Sequence, residues 1–394
     1  MTIVQFWSGV TASARRELQR LNSNVEYRAV LFWLPLGILI FFAIFFSHEV
    51  VGPLPVAVVD EDNSYLSRKL AMMIKATPQT SLVEELGDME SARCRLLQGG
   101  VVGVVEIPDG FAQNLLSGNV AEVIYYDSGT NISANSLSAK GVHTAVTSFG
   151  VGVALQRADI GGTMPDVAMA QVMPIGFTTY GLFNPWLNYA YYIAPCFWVM
   201  VLIIAAMLST IYAVGSELRY GTSVEWLRSA NGSLVGALIG KLLPITSALW
   251  LLALVVGVMM FAVFGAPMQG SWIMLVVGTM ALVAAYQAVA LFVVAATASF
   301  RLSLSLGGGY SVLAFTFSGI TFPTMAMFSE VQPFTMLFPY TYFMRLYIDQ
   351  AVRGSAWWLS MQDIAAMLLF CLLPLLALGR LKKVSVTRKF WGRL

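Results

Sequence analysis

Six long segments of this chain contain no Asp, Glu, Lys or Arg, and this pattern restricts the possible folds more than any other feature. They lie at residues 30–46, 195–214, 242–264, 273–298, 302–322 and 364–378. A helix needs about 20 apolar residues to cross a bilayer, and a charge at the bilayer centre costs about 2.5–3.5 kcal/mol. The pattern therefore predicts an α-helical integral membrane protein with six transmembrane helices, of which the first and last extend into their flanks.

Composition agrees with a membrane protein and argues against other classes. Of the 394 residues, 58% are hydrophobic and 11% are charged, whereas a soluble domain has about 25% charged residues. A net charge of +2, without a basic run interleaved with aromatic residues, gives no reason to expect nucleic acid as a partner. The three cysteines are scattered and the two histidines lack neighbouring cysteines, so neither a disulfide framework nor a metal site is predicted.

The basic residues predict the orientation. They lie before the first apolar segment, between the second and third, between the fourth and fifth, and after the sixth, whereas the loop 265–272 has no charge. By the positive-inside rule both termini lie in the cytoplasm, in a bacterial cytoplasmic (inner) membrane. Residues 1–28 predict an amphipathic helix in the headgroup plane, residues 381–394 a basic cytoplasmic tail, and Trp198 and Trp272 anchors near the membrane surface.

The longest polar stretch, residues 47–190, follows the first span at 29–46 and has the composition of a soluble domain. Its pattern predicts an α/β extracytoplasmic domain inserted between spans 1 and 2, with a return rich in Gly and Pro that leads to spans 2–6 within residues 191–380. The predicted strands are 54–59, 101–107 and 120–126, the predicted helices are 64–76, 88–98, 108–116 and 135–157, and the return is 161–185.

The polar connection between the second and third spans contains a strong helix start. Thr222 stands three residues before Glu225, as in a capping box, and Asn231-Gly232 predicts the helix end. A helix of about ten residues is marginal alone in water, so Trp226 and Leu227, expected to be exposed, need a surface to pack against. Two interpretations remain: a lever on which a soluble ATPase pushes, or an interfacial helix that rests on lipid headgroups.

Proline and aromatic residues dominate the chain after the fifth span. Residues 323–360 predict either an outer re-entrant pair of short helices or a loop on the headgroups, and Arg345 and Asp349 are spaced to pair on one helix face. Polar groups within spans often mark function, although each can also bond only to its own helix. Besides Thr246 and Thr297, the residues assigned to a translocation path and gate are Gln287, Gly307, Gly308, Ser318, Gly319, Phe322, Pro323, Arg345 and Asp349.

Strings in a fixed order along the chain resemble one family, the ABC type-2 exporter permeases of the six-span kind with a large extracytoplasmic insert. The strings are PVAVVDEDNSYLSRKL, GGVVGVVEIPDGFAQNLLSGNVAEV, FNPWLNYAYYIAP, ELRYGTSVEWLRS with a later GKLLP, FSGITFP and FPYTYFMRLYIDQAVRG. The likeness runs through nearly the whole chain. It departs at Arg219-Tyr220, where the family often has an acidic residue, and at Met327-Phe328, where Met-Pro is usual.

The resemblance implies a second permease copy, identical or homologous, and two cytoplasmic ATPase subunits that hold ATP and Mg²⁺, with residues 217–231 as the coupling helix. Membrane lipids and a periplasmic adaptor are further expected partners, and no cofactor is expected on this chain. The residues assigned to ATPase coupling are Glu217, Gly221, Thr222, Glu225, Trp226, Leu227 and Arg228.

The sequence contains no phosphate-binding loop of its own. Its nearest match, Gly236 to Leu242, is one residue short and lacks the Mg²⁺-binding hydroxyl, and we interpret it as two helix-packing glycines before an interfacial Lys241. Two functions are open. One is a non-catalytic permease subunit that exports a hydrophobic or amphipathic substrate with ATP hydrolysed by a separate subunit; the other is a membrane-anchored ligand-binding sensor or envelope assembly factor without transport activity.

Overall fold

The computed structural model describes residues 3–46, 52–160, 189–320 and 322–392. The chain divides into two compact units, Val50–Gly181 and a helical unit formed by Met1–Glu49 with Leu182–Leu394. The predicted return at 161–185 lies outside the described residues. The helical unit begins with α1 (Ile3–Ser23) and the spanning helix α2 (Val25–Phe45). Asn24 separates the two and accepts a hydrogen bond from the Tyr27 backbone N–H.

The unit Val50–Gly181 contains one four-stranded sheet and four helices. The sheet order is β2-β1-β3-β4, in which β1 pairs in parallel with β2 and β3, and β4 pairs antiparallel to β3. Alternate residues of β1 enter two hydrophobic clusters, Val56 and Val58 one cluster, Ala57 and Val59 the other. The elements are β1 Leu54–Asp60, α3 Tyr65–Lys75, β2 Thr80–Leu86, α4 Met89–Leu97, β3 Gly103–Ile107, α5 Phe111–Ser117, β4 Ile124–Asp127 and α6 Ile132–Ile160.

The sequence analysis missed β2 and found a start for α4. β2 forms one edge of the sheet, and its polar sequence lacks the alternating apolar pattern of a half-buried strand. At α4, Asp88 caps the helix and accepts hydrogen bonds from the backbone N–H and the hydroxyl of Ser91. These two hydrogen bonds lower the pKa of the Asp88 carboxyl below its ordinary value.

The second part of the helical unit contains the remaining spans. Five helices of the described chain are long and apolar enough to cross a membrane: Val25–Phe45, Ile193–Tyr220, Leu234–Val263, Trp272–Thr297 and Trp357–Val386. The chain is thus a multi-pass membrane protein. The elements are α7 Tyr189–Tyr220, α8 Ser223–Ser229, α9 Leu234–Val263, α10 Trp272–Thr297, α11 Phe300–Thr316, α12 Gln332–Thr335, α13 Pro339–Tyr347, α14 Trp357–Phe370 and α15 Leu373–Val386.

Two predicted spans have different limits in the structure. The predicted fifth span, 302–322, corresponds to α11, which has only 17 residues and ends at Thr316. The last span extends beyond 364–378 into both flanks, as expected, because α14 and α15 together cover Trp357–Val386, with a turn before Pro374. The extension includes Asp363, which is 3% exposed.

The helix α7 lies at the centre of the helical unit, against α9, α10 and α11. Trp198, predicted as a surface anchor, is 1% exposed and packs against Phe264. Trp272 is exposed, as an anchor requires. Within the predicted re-entrant segment 323–360, α13 is largely buried and packs against α10 and α14. Whether that segment enters a membrane stays a prediction.

Candidate functional site

The connection from α7 to α9 is short and tightly bonded. Gly221 leaves α7 with a positive φ of 69° and α8 follows from Ser223 to Ser229. The helix ends as predicted, because Asn231 and Gly232 both have positive φ and the Gly232 N–H donates to the Leu227 carbonyl at 2.9 Å. This turn leads directly into α9.

The predicted capping box does not form. Thr222 precedes α8 but its side chain accepts no capping hydrogen bond. Its hydroxyl instead donates to a carboxylate oxygen of Glu217, while Glu225 points to the exposed side. A hydrogen bond to a carboxylate is stronger than the neutral hydrogen bond that a capping hydroxyl accepts. The local sequence does not reveal that these two bonds compete for the Thr222 side chain.

The side chains predicted to be exposed on α8 are buried inside the chain. Trp226 is 1% exposed and Leu227 is 8% exposed. The Trp226 indole N–H donates to the Ala237 carbonyl of α9 at 3.2 Å, and the Lys241 ammonium lies 5.1 Å from the centre of the Trp226 ring. The exposed charged residues of α8 are Glu225 and Arg228. A partner that meets α8 from outside therefore meets these two charges.

Beneath α8 lies a buried ion cluster, which we define as Arg16, Glu17 and Arg20 of α1, Glu217 of α7 and Lys241 of α9. Glu217 is fully buried and accepts hydrogen bonds from Arg16 at 2.6 and 3.2 Å, from Arg20 at 2.5 Å and from Lys241 at 2.8 Å. Three helices thus meet on one carboxylate.

Glu17 is the second carboxylate of the ion cluster. It is 1% exposed and accepts a hydrogen bond from the Tyr27 hydroxyl at 2.8 Å. It also forms ion pairs with Arg20 at 3.2 Å and, more closely, with Lys241. Both carboxylates are satisfied, which a buried charge requires. Since removal of one partner of a buried ion pair costs about 3–5 kcal/mol, the cluster fixes α1 to the ends of α7 and α9.

The prediction that Lys241 is an interfacial lysine is wrong, because this side chain is fully buried in the ion cluster. Arg16, Glu17 and Arg20 lie in the predicted amphipathic helix 1–28, and the sequence analysis assigned them no role at the site. One local signal could have pointed to this cluster: Lys241 directly follows Gly240 and directly precedes an apolar run. A buried lysine needs a carboxylate partner.

Small residues let α1 lie directly on α9. A Cβ atom at Gly240 would meet the Val10 carbonyl oxygen at 2.4 Å and the Ser13 Cβ at 2.7 Å. The Ser13 hydroxyl donates to the Ala237 carbonyl at 3.0 Å. One residue before Val10, Gly9 lies against the backbone of Ala230. The interpretation of Gly240 as a helix-packing glycine agrees with this contact.

In chain order, the first five residues assigned to a path lie on three different helices, α9, α10 and α11. Gln287 is buried, and its side-chain oxygen accepts a hydrogen bond from Thr246 at 2.9 Å. Gly307 of α11 lies against Met207 and Ile211 of α7, whereas Gly308 next to it has no atom within 4 Å of an added Cβ. The Thr297 hydroxyl donates a hydrogen bond to the Val293 carbonyl of its own helix and also lies within hydrogen-bond distance of the Ser303 hydroxyl of α11.

The outer candidates lie around the end of α11 and on α13. Ser318 is buried, and Gly319 has a φ of 84° and lies close to Thr324. Phe322 is 51% exposed and Pro323 begins a short 3-10 turn.

The predicted pairing of Arg345 with Asp349 is wrong. Arg345 instead lies 4.0 Å from Asp363 of α14, and Asp349 pairs with Arg353 at 3.1 Å. The acidic partner of Arg345 is therefore the buried Asp363 of α14, which the spacing of residues along one helix could not reveal.

An apolar groove of about 470 Å³ runs between α9 and α10. Its walls include Trp250, Leu254, Val258, Phe261 and Trp272. A groove with such walls suits a hydrocarbon chain better than a charged solute.

Comparison with known proteins gives one match. A sequence-family model described as ABC-2 family transporter protein matches residues 27–380, which is most of the chain. No curated protein and no solved structure matches. The matched range contains Glu217, α8 and Lys241, whereas the cluster residues of α1 precede it.

Proposed function

Because this chain belongs to the ABC-2 transporter family, we propose that it is the membrane permease subunit of an ATP-driven exporter. In this proposal α8 is the coupling helix, and a separate ABC ATPase that binds ATP and Mg²⁺ contacts it. The chain itself is a non-catalytic transport subunit. It works in a complex of two permeases and two ATPases in a bacterial inner membrane.

The observation that carries the proposal is the two-sided character of α8. Its outer side presents Glu225 and Arg228, while its inner side holds the buried Trp226 above the ion cluster. A contact that moves the outer side is expected to move α7 and α9 as well, because Thr222 donates to Glu217 of α7 and Trp226 donates to the Ala237 carbonyl of α9. A helix so anchored is suited to transmit force into the membrane.

The motion has a route from α7 to α11. Gly307 lies directly against the side chains of Met207 and Ile211, so these helices are in close contact, with no side chain contributed by α11 at this point. We propose that movement of α7 changes this contact and opens a path between two copies of the chain. Gly308, which is half-buried beside Gly307, then faces that path.

The proposed substrate is hydrophobic or amphipathic. The apolar groove between α9 and α10 supports this class, as does the apolar character of the five spanning helices. Both termini are proposed to lie in the cytoplasm, and the unit Val50–Gly181 outside, where a periplasmic adaptor could meet it.

Purification of the tagged chain in mild detergent, with identification of every co-eluting protein, tests the proposal. The wild-type chain is expected to recover an ABC ATPase. The charge reversal Glu225→Arg with Arg228→Glu is expected to lose it, since both charges lie on the face that an ATPase would contact. The matched control is Glu90→Arg with Arg93→Glu, an exposed pair at the same spacing on α4, which is expected to retain the ATPase.

The sensor or assembly alternative has a different outcome. A chain of that kind recovers no ATPase even as wild type, and lipophilic compounds do not change any ATP hydrolysis in the preparation. If the ATPase is recovered equally well with the α8 variant and with the α4 control, the chain would still be an exporter subunit. In that case α8 would not be the contact with the ATPase.

A further inference from the structure

A cluster of basic side chains lies at the C-terminal end of the last span and just after it. We define the basic cluster as Arg380, Lys382, Lys383, Arg388 and Lys389, on α15 and the turn after it. The sequence contains no Asp or Glu after Asp363. The local charge is therefore strongly positive.

The charges of the basic cluster are not neutralised within the described part of the chain. All five side chains are exposed, and the ion pairs between described residues include none of them. Arg380 donates a hydrogen bond to the Ala296 carbonyl at 2.7 Å, which orients it but does not cancel its charge. By contrast, Arg16 and Arg20 are paired inside the ion cluster.

The basic cluster lies where phospholipid headgroups are expected. Leu375 and Leu376 are 61% and 81% exposed, as for side chains that face hydrocarbon. A helix rises 1.5 Å per residue, so Arg380 and Lys383 lie only about 6 and 10 Å beyond Leu376 along α15. Basic residues directly after a spanning helix attract anionic lipids, by about 1 kcal/mol for each Lys or Arg.

The same segment contacts the connection between α7 and α8. The Trp391 ring lies 3.2 Å from where a Cβ of Gly221 would be, and the Gly392 N–H donates to the Leu218 carbonyl at 3.2 Å. Trp391 directly follows the 3-10 turn Arg388–Phe390. A ligand that binds Arg388 and Lys389 is therefore expected to fix the position of Trp391 against Gly221 as well.

We propose that the basic cluster binds the headgroups of anionic phospholipids, and that this binding holds Trp391 against Gly221, the residue between α7 and α8. An acidic protein surface would satisfy the charges equally well, but it would leave the exposed leucines on the same helix unexplained. A phospholipid covers both, because its acyl chains contact the leucines and its phosphate contacts the bases. The inference holds whether or not α8 meets an ATPase.

Native mass spectrometry of the full-length chain, titrated with phosphatidylglycerol or phosphatidylcholine, tests the lipid site. The wild type is expected to bind phosphatidylglycerol more tightly. The variant K382Q/K383Q/R388Q/K389Q is expected to weaken the apparent Kd for that lipid by about fivefold or more, the factor that one lysine near an anionic surface supplies. The control R68Q/K69Q/K75Q/R93Q, which removes four exposed basic residues of the unit Val50–Gly181, is expected to bind as the wild type.

Hydrogen exchange of residues 217–232 tests the link to Gly221. In bilayers with phosphatidylglycerol, exchange is expected to be slower than in phosphatidylcholine alone. Trp391→Ala is expected to keep the lipid affinity and lose this protection, which separates binding from its consequence. Unchanged phosphatidylglycerol affinity in the quadruple variant overturns the proposal, and its loss of a protein partner at unchanged lipid affinity would assign the basic cluster to an acidic protein surface.

Discussion

Glu217 and Glu17 bring two negative charges into an interior that is almost closed to solvent, and three cations compensate them there. Desolvation of an ion costs several kcal/mol, which only good geometry and additional hydrogen bonds repay. The hydroxyls of Thr222 and Tyr27 provide such bonds. The ion cluster therefore acts as one unit, in which each member depends on the others.

Glu217→Gln is expected to lower the free energy of unfolding by about 3–5 kcal/mol. The amide keeps the shape of the side chain but leaves Arg16, Arg20 and Lys241 with one carboxylate. Thermal unfolding in detergent, followed by tryptophan fluorescence, measures the loss. The control Glu225→Gln changes an exposed side chain and is expected to stay within about 0.5 kcal/mol of the wild type.

A double-mutant cycle on Glu17 and Lys241 tests the same idea if Glu217→Gln cannot be purified. Glu17→Gln and Lys241→Met each take away one partner of a buried charge, whereas the double variant removes both charges. The double variant is expected to be more stable than the sum of the single changes predicts. Additive losses would contradict a coupled pair.

Among the elements, α1 packs against α9 at Gly240, which contributes no side chain to the contact. Gly240→Ala is expected to detach α1 from α9, because the new methyl group would overlap the Val10 carbonyl, a backbone atom that cannot rotate away. Limited proteolysis near the start of α1 measures its release. Gly257→Ala on the same helix has no atom within 4 Å of the added Cβ and is the matched control.

The control variant is expected to be as resistant to protease as the wild type. If Gly240→Ala is equally resistant, the docking of α1 does not depend on this close approach. The addition of Ser13→Gly to Gly240→Ala removes the nearest side chain but is not expected to restore docking, since the backbone clash with Val10 remains.

For the whole molecule, the orientation follows from the placement of the basic residues, and Cys94 can report it. Cys94 is exposed, whereas Cys196 is buried. With Cys196→Ala and Cys371→Ala, a membrane-impermeant maleimide is expected to label Cys94 in intact spheroplasts, because the unit Val50–Gly181 is proposed to lie outside. Gel shift of the labelled chain measures the reaction.

The opposite face has its own reporter. Arg228→Cys in a chain without the three native cysteines is expected to react only after the membrane is opened, because α8 is proposed to face the cytoplasm. Labelling of Arg228→Cys in intact spheroplasts would reverse the orientation and remove α8 as a contact for a cytoplasmic ATPase. The two reporters together fix both sides of the membrane.

The sequence by itself determined that the chain is a membrane protein of the ABC-2 family, and located four long spans closely. It also predicted the end of α8 at Asn231-Gly232. These features depend on local composition or on the backbone freedom of one or two residues, so a short window of sequence contains them. The limits of the last span, where Asp363 is buried against α13, and the length of α11 needed the fold.

Only the tertiary structure decided what the charges do. Arg16 and Glu217 are 201 residues apart, and Lys241 and Glu17 are 224 apart, so no local pattern relates them. The same holds for Trp226, which the sequence predicted to be exposed and which α1 and α9 cover. A side chain next to a membrane span is exposed or buried according to which other helix lies on it, and that is a property of the assembled bundle rather than of its neighbours in the chain.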